Sequence, residues 1–151
     1  MKLLVFSDSH GAVAPMLRAV REEKPDAVIH LGDCVRDAQA LRADFPGLVS
    51  VSGNCDWGDE GPERAELTLG GVRVFACHGH RYGVKTGLDA LCNAGHFSGA
   101  GLVLFGHTHV PLKARAGEML LVNPGPAKRS YAVIELEDGE IHSAELKEAA
   151  R

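Results

Sequence analysis

No apolar run in this chain approaches the length of a membrane-spanning helix, so a helical membrane protein is not expected. The opening "MKLLVFSD" lacks the longer apolar core and small-residue cleavage site of a signal peptide, which predicts a cytoplasmic protein. Cysteine is sparse and unpatterned: Cys34, Cys55, Cys77 and Cys92 show no C-x-x-C spacing, which fits reduced thiols better than a zinc knuckle or a disulfide framework. Positive charge is not in surplus either. Sixteen Lys and Arg face 20 Asp and Glu, a formal charge of −4, which argues against broad binding to nucleic-acid backbones. Aromatic residues make up 5%, with a single Trp57, and no run of them offers a stacking platform for bases. Gln39 is the only glutamine and Asn is scarce, a bias that heat adaptation or simple compositional drift would produce.

What remains is ordinary for a globular chain: 45% hydrophobic, 24% charged, no repeat, no low-complexity segment and no linker. At 151 residues it is read as one domain, 1–151, able to bury roughly two thirds of the surface of its unfolded chain. "KLLVF" predicts a buried strand. "VAPMLRAVREEK" then places Val13, Met16, Leu17 and Val20 at helical spacing. "DAVIHLGD" predicts a second strand, "VRDAQALRADF" a short helix and "LVSVSGN" a third strand, the order expected of parallel units with helices on the faces of a sheet. Beyond Gly61 and Pro62, "AELTLGGVRVFACHG" predicts a hairpin turning at Gly70 and Gly71. "LDALCNAGHF" predicts a helix and "AGLVLFGHTH" another buried strand. The tail from "LLVNPG" onward predicts further strands, the last two turning at Asp138 and Gly139. The expected fold class is α/β, with two β layers or one strongly mixed sheet covered by helices.

Five apolar runs end in polar residues of one chemical kind. They are "DSH" with Asp8 and His10, "GDC" with Asp33, "GNCD" with Asn54 and Cys55, "CHGH" with His78 and His80, and "GHTH" with His107 and His109. If strand geometry continued through Ser9, Asp8 and His10 would leave one face. Each block taken singly also suits a turn or a helix cap. Together, at the carboxyl ends of strands in an α/β sheet, they would converge on one crevice. His107 and His109 on one side of a strand end would repel if protonated, and a metal holding both neutral removes that conflict. Carboxylates, one amide oxygen and imidazoles, with no thiolate required, suit Mn, Fe, Co, Ni or Zn better than Ca or Mg. Seven such groups, Asp8, His10, Asp33, Asn54, His78, His107 and His109, exceed what one catalytic ion takes, and two ions sharing Asp33 fit the count.

The ordered blocks D-x-H, G-D, G-N-C-D, H-G-H and G-H-T-H resemble those of the calcineurin-like metallophosphoesterase superfamily. The likeness is nearest to its small bacterial and archaeal phosphodiesterases, to which the retromer's metallophosphoesterase-like subunit is related. It extends from Asp8 through the "NPG" at Asn123 to Gly125 and into the final strands. The resemblance implies a four-layer α/β/β/α sandwich of two mixed sheets flanked by helices, with a dinuclear site at the strand ends. It implies Asp8, His10, Asp33 and His109 around a first ion, and Asp33, Asn54, His78 and His107 around a second, with Mn heading the transition metals. His80 would stand behind the ligands or on the substrate side. The implied reaction is hydrolysis of a small phosphodiester by in-line attack of a hydroxide activated between two ions.

Two departures bear on specificity. Cys55 stands where many superfamily members carry a histidine that protonates the leaving oxygen, so substrates with good leaving groups are expected; a small packing residue is the alternative for Cys55. "NPGPAKRSYAV" has Pro126 where relatives often have Ser, and a shortened loop. Lys128, Arg129, Asn123 and Trp57 are substrate-side candidates, against the plainer readings of solvated cations and a packed ring. A metal-binding interaction scaffold with little catalysis and a nuclease are the rival functions. Pairing of the chain with itself is left open.

Overall fold

The computed structural model describes residues 1–56 and 61–149. Ten strands and three α-helices follow one another: β1 (Lys2–Phe6), α1 (Val13–Glu23), β2 (Ala27–His30), α2 (Val35–Leu41), β3 (Val49–Ser50), β4 (Arg64–Leu69), β5 (Val72–Cys77), α3 (Asp89–Phe97), β6 (Leu102–Leu104), β7 (Leu112–Ala116), β8 (Met119–Asn123), β9 (Ser130–Glu137) and β10 (Glu140–Glu148). They form two five-stranded sheets, ordered β10-β9-β1-β2-β3 and β4-β5-β6-β8-β7. Both are mixed in the same way. β1, β2 and β3 are parallel to one another, as are β5, β6 and β8, while β9 with β10, β4 and β7 run antiparallel at the flanks.

Strand alternation sorts the side chains into layers. Leu3 and Val5 of β1, Val74 and Ala76 of β5, Leu102 and Leu104 of β6 and Leu120 and Val122 of β8 meet between the sheets. The intervening residues face outward: Leu4 and Phe6 onto Met16, Ala19 and Val20 of α1 and Ala38 and Leu41 of α2, and Phe75, Val103 and Leu121 onto Leu91 of α3. Helix, sheet, sheet, helix is therefore the layer order, as the resemblance implies. The two hairpins turn where expected, at Gly70–Gly71 between β4 and β5 and at Asp138–Gly139 between β9 and β10, with positive φ at all four residues.

The structure departs from the sequence expectation at several points. β7 is not foreseen, because Lys113 and Arg115 alternate only with small or half-buried residues on an edge strand. The third strand is reduced to Val49–Ser50, with Val51 still donating to the His30 carbonyl at 3.0 Å. Extended geometry does not run through Asp8 and His10: β1 ends at Phe6, and both residues take left-handed φ, +50° and +41°. His107 and His109, at +70° and +60°, lie beyond the end of β6 in a tight turn of the same kind. Strand alternation carries none of these four side chains to the site.

Candidate metal centre

The carboxyl ends of the parallel strands β1, β2, β3, β5, β6 and β8 all deliver polar residues to one rim. Asp8, Asp33 and His78 are buried there, whereas His10 and His109 are exposed. Five of the seven non-glycine residues with positive φ among the described residues are Asp8, His10, Asp33, His107 and His109. Left-handed backbone is unfavourable for such side chains and persists where surrounding contacts impose it. The Asp33–Cys34 peptide bond is cis.

Those contacts are identifiable. The Asp8 carboxylate accepts from Ser7 Oγ at 2.5 Å and from the His107 backbone N–H at 3.0 Å, both at Oδ2. A Cβ on Gly106 would collide with Ser7 Oγ and lie 2.7 Å from Asp8 Oδ2, which is why the loop beside Asp8 needs glycine. On the neighbouring strand, a Cβ on Gly53 would strike Asp33 Oδ1. Asp33 Oδ1 accepts from the Cys55 backbone N–H at 2.9 Å. Burial pushes the Asp33 carboxyl up, but that N–H and the His78 imidazole outweigh it and hold it below the usual value.

His78 donates from Nδ1 to the Leu31 carbonyl at 2.8 Å, which selects the tautomer whose Nε2 lone pair points toward the centre. Nε2 lies 3.6 Å from Asp8 Oδ1 and 3.5 Å from Asp33 Oδ2. Neither Nε2 nor Asp8 Oδ1 has a hydrogen-bond partner, although both are buried. His109 Nε2 approaches the same Asp8 oxygen at 3.2 Å. Two sets of potential ligands have donor atoms within 4.8 Å of one another: Asp8 with His10 and His109, and Asp8 with Asp33 and His78. The residue common to both is Asp8, where the ligand count had pointed to Asp33.

The His107 ring stands 5.1 Å from that of His78 and 6.1 Å from that of His80, centroid to centroid. Burial and the neighbouring His78 hold His107 and His80 below the usual imidazole value, leaving both neutral at neutral pH. Asn54 is exposed and shares a cavity of about 760 Å³ with Asp56, Glu63, His80 and Arg81. Burial and the Asp33 carboxylate push the Cys55 thiol up. Cys77 is buried against α3, its thiol pushed up to about 12 by burial, in keeping with packing. Lys128 and Arg129 are exposed and line a second cavity with Asp8, His10 and His109. Trp57 lies outside the described residues.

Asn123 requires a correction. It is fully buried, its amide donates to the Gly106 carbonyl and to Thr108 Oγ1, and its oxygen accepts from the Gly125 N–H. With all three bonds committed to tying two loops together, it does not face a substrate.

Four further residues hold the site. Asp56 accepts from the backbone N–H groups of Asp33, Gly53 and Val35 at 3.0, 2.7 and 2.9 Å, pinning the loops after β2 and β3 to the start of α2. Beneath the first loop, the Gly32 N–H donates to His30 Nδ1, so His30 donates from Nε2 to Ser9 Oγ, 2.9 Å away, and Ser9 donates to Asp37 at 2.7 Å. Asp37 also accepts from the Gly11 N–H at 2.7 Å, which closes the loop around His10. An Asp two residues after Asn54 was a visible signal; the pairing of His30 with Ser9 was not, because 21 residues separate them.

Residues 1–139 match the family model described as the calcineurin-like phosphoesterase superfamily domain. The Bacillus subtilis protein named Probable metallophosphoesterase YsnB is 30% identical over 150 residues, covering 91% of this chain and 86% of its own. Phosphodiesterase YfcE of Escherichia coli K12 is 27% identical over 151 residues, covering 83% and 78%. Among solved structures, wild-type Vps29 of Entamoeba histolytica complexed with Zn²⁺ superposes with a TM-score of 0.81 at 20% identity, over 99% of this chain and 98% of that one, a likeness of fold.

Proposed function

We propose that this chain, which belongs to the calcineurin-like phosphoesterase superfamily, is a phosphodiesterase that works with two divalent transition-metal ions. That it is a metallophosphoesterase follows from the family and its relatives; the diester preference and the two ions are the proposal. The observation that carries it is the pair of buried, unpartnered acceptors, Asp8 Oδ1 and His78 Nε2. Two lone-pair atoms facing each other in a buried site are stabilised by a cation between them, and their mixed oxygen and nitrogen character suits Mn, Fe, Co, Ni or Zn.

In this reading Asp8, His10, Asp33 and His109 would hold the first ion and Asp33, Asn54, His78 and His107 the second, with Asp8, common to both clusters, also reaching the second beside Asp33 and His78. When bound, such ions would supply Lewis acidity and lower the pKa of a bound water. The protein's part is to fix the donors. The Leu31 carbonyl sets the His78 tautomer, Ser7 and the His107 N–H aim Asp8, and the Cys55 N–H aims Asp33. Protonation of the leaving oxygen falls to the Cys55 thiol or to His80, whose Nδ1 is buried without a partner. No helix among the described residues is long and apolar enough to cross a membrane. The chain's negative charge disfavours an extended nucleic acid.

The test is hydrolysis of an activated aryl phosphodiester and the matching monoester by protein stripped of metal and reloaded with Mn, Ni, Co, Zn or Mg in turn. Turnover that depends on the ion, favours the diester and is lost in Asp33→Ala and His107→Ala is expected. Tight ion binding without turnover would favour the scaffold function instead.

A further inference from the structure

Resting on that phosphodiesterase reading, we infer that the cavity beside the first ligand set is a subsite for a second anionic group, carried on one ester arm of the substrate. The cavity, of about 440 Å³, is lined by Asp8, His10, His109, Pro126, Lys128 and Arg129. Its two cations are distinguished by their place: both line the cavity that Asp8, His10 and His109 border. Elsewhere on this acidic chain Arg21 pairs with Asp44 at 3.1 Å, Arg81 with Glu63 at 2.6 Å, and Lys2 and Lys147 with Glu23 at 3.6 and 2.8 Å. The side chains of Lys128 and Arg129 make no ion pair or hydrogen bond among the described residues. Glu148 borders an adjoining cavity with them and forms no ion pair with either.

The segment that carries them is anchored to the site. Pro126 bridges to Ser7 in parallel pairing, and the Ala127 N–H donates to the Ser7 carbonyl at 2.8 Å, one residue before Asp8. The Arg129 and Ser130 N–H groups close the turn onto the Pro126 carbonyl, and Ser130 Oγ donates to the Pro124 carbonyl at 2.6 Å. The shortened loop thus fixes the backbone of both cations relative to the Asp8 carboxylate. A guanidinium presents two parallel donors to a carboxylate or phosphate, and an ammonium adds a point charge. The opposite flank differs: there Arg81 is neutralised by Glu63, and Asp56 lies nearby. The two flanks sort an unsymmetrical diester, with its anionic arm toward Lys128 and Arg129 and its uncharged arm toward His80.

The test uses three 4-nitrophenyl phosphodiesters whose other arm is ethyl, carboxyethyl or phosphoethyl, with the metal-loaded full chain. Both anionic arms are expected to lower KM by about tenfold relative to ethyl, the effect of two partly exposed charge-assisted contacts. The preference should shrink at raised ionic strength. It should collapse in Lys128→Ala/Arg129→Ala and reverse in Lys128→Glu/Arg129→Glu. A gain for phosphoethyl alone would narrow the ligand to a phosphate; a gain for both would make it any anion. Equal KM for all three arms in the wild type, or a preference that survives in the alanine variant, overturns the inference. Absence of turnover with every ion would refute the phosphodiesterase reading instead. The subsite is then read by calorimetric titration of zinc-loaded protein with the same diesters, where equal affinities overturn it and a preference lost in the alanine variant sustains it.

Discussion

Asp8 Oδ1 and His78 Nε2 face each other across 3.6 Å of the protein interior, and neither has a hydrogen-bond partner. An ion bound between them stabilises the native chain by about 2.7 kcal/mol at a concentration 100-fold above its Kd. At this chain length that corresponds to a Tm rise of about 5 to 10 °C. Asp8→Asn keeps the oxygen that accepts from Ser7 and the His107 N–H, and turns an amide N–H toward His78. Its metal-free Tm is expected to equal or exceed that of the wild type, while the rise on adding Mn or Zn disappears. An undiminished rise in Asp8→Asn, followed by scanning fluorimetry, would remove Asp8 from the site.

Asp56 is expected to matter for folding as well as for the site. Charge-assisted bonds to backbone N–H groups contribute about 1.5 to 3 kcal/mol each in favourable cases and do not add fully. Asp56→Ala should therefore lose about 2 to 4 kcal/mol in urea unfolding and weaken ion binding, because Asp33 shares the released loop. A loss below about 0.5 kcal/mol, the range of ordinary surface substitutions, would show that the three bonds are not what holds the loops.

Burial lowers His30 to about 4, against the pull of Asp37 and Asp56, whose carboxylates favour the charged ring. The sign follows from linkage: between about pH 6.5 and 4 the unfolded chain takes up a proton that native His30 does not. The stability this provides is complete above the unfolded value and is lost as pH falls through that window, by about 3 kcal/mol in all. Asp33, lowered from 3.8, contributes above its unfolded value and loses that contribution only at still lower pH. Urea midpoints measured with EDTA present should fall from pH 7 to pH 4.5, and more shallowly in His30→Gln. An identical slope in the variant would assign the acid sensitivity elsewhere.

Cys55 carries the consequence for leaving groups. A thiol pushed up by burial and by Asp33 is a poor proton donor near neutral pH, so rates should depend steeply on leaving-group pKa across a series of aryl diesters. Cys55→His is expected to flatten that dependence and to extend turnover to alkyl leaving groups by about 10²-fold or more. The same steep slope in both proteins would show that position 55 does not protonate the leaving oxygen, and a shallow slope already present in the wild type would assign that role to His80.

The layer order was legible in the sequence because alternation in β1, β5, β6 and β8 and the helical spacing of Met16 and Val20 are local signals. The ligand types were legible too, since each polar block stands directly after an apolar run. β7 escaped notice because an edge strand needs little hydrophobicity, and Asn123 was misjudged because a polar residue after a strand looks alike whether it faces a substrate or a neighbouring loop.

By itself, then, the sequence determined most of the strands, which residues could bind a metal, and the family to which the chain belongs. Tertiary structure alone decided the rest. Left-handed turns, imposed by contacts between Ser7, Asp8 and Gly106 and between Gly53 and Asp33, aim the ligands that strand alternation would have misdirected. His30, Ser9 and Asp37 combine across 21 and 28 residues, and Asp56 secures a loop 23 residues away. Hydrogen bonds in a buried site depend on angle and distance between chain segments, and those quantities come into being only when the two sheets pack.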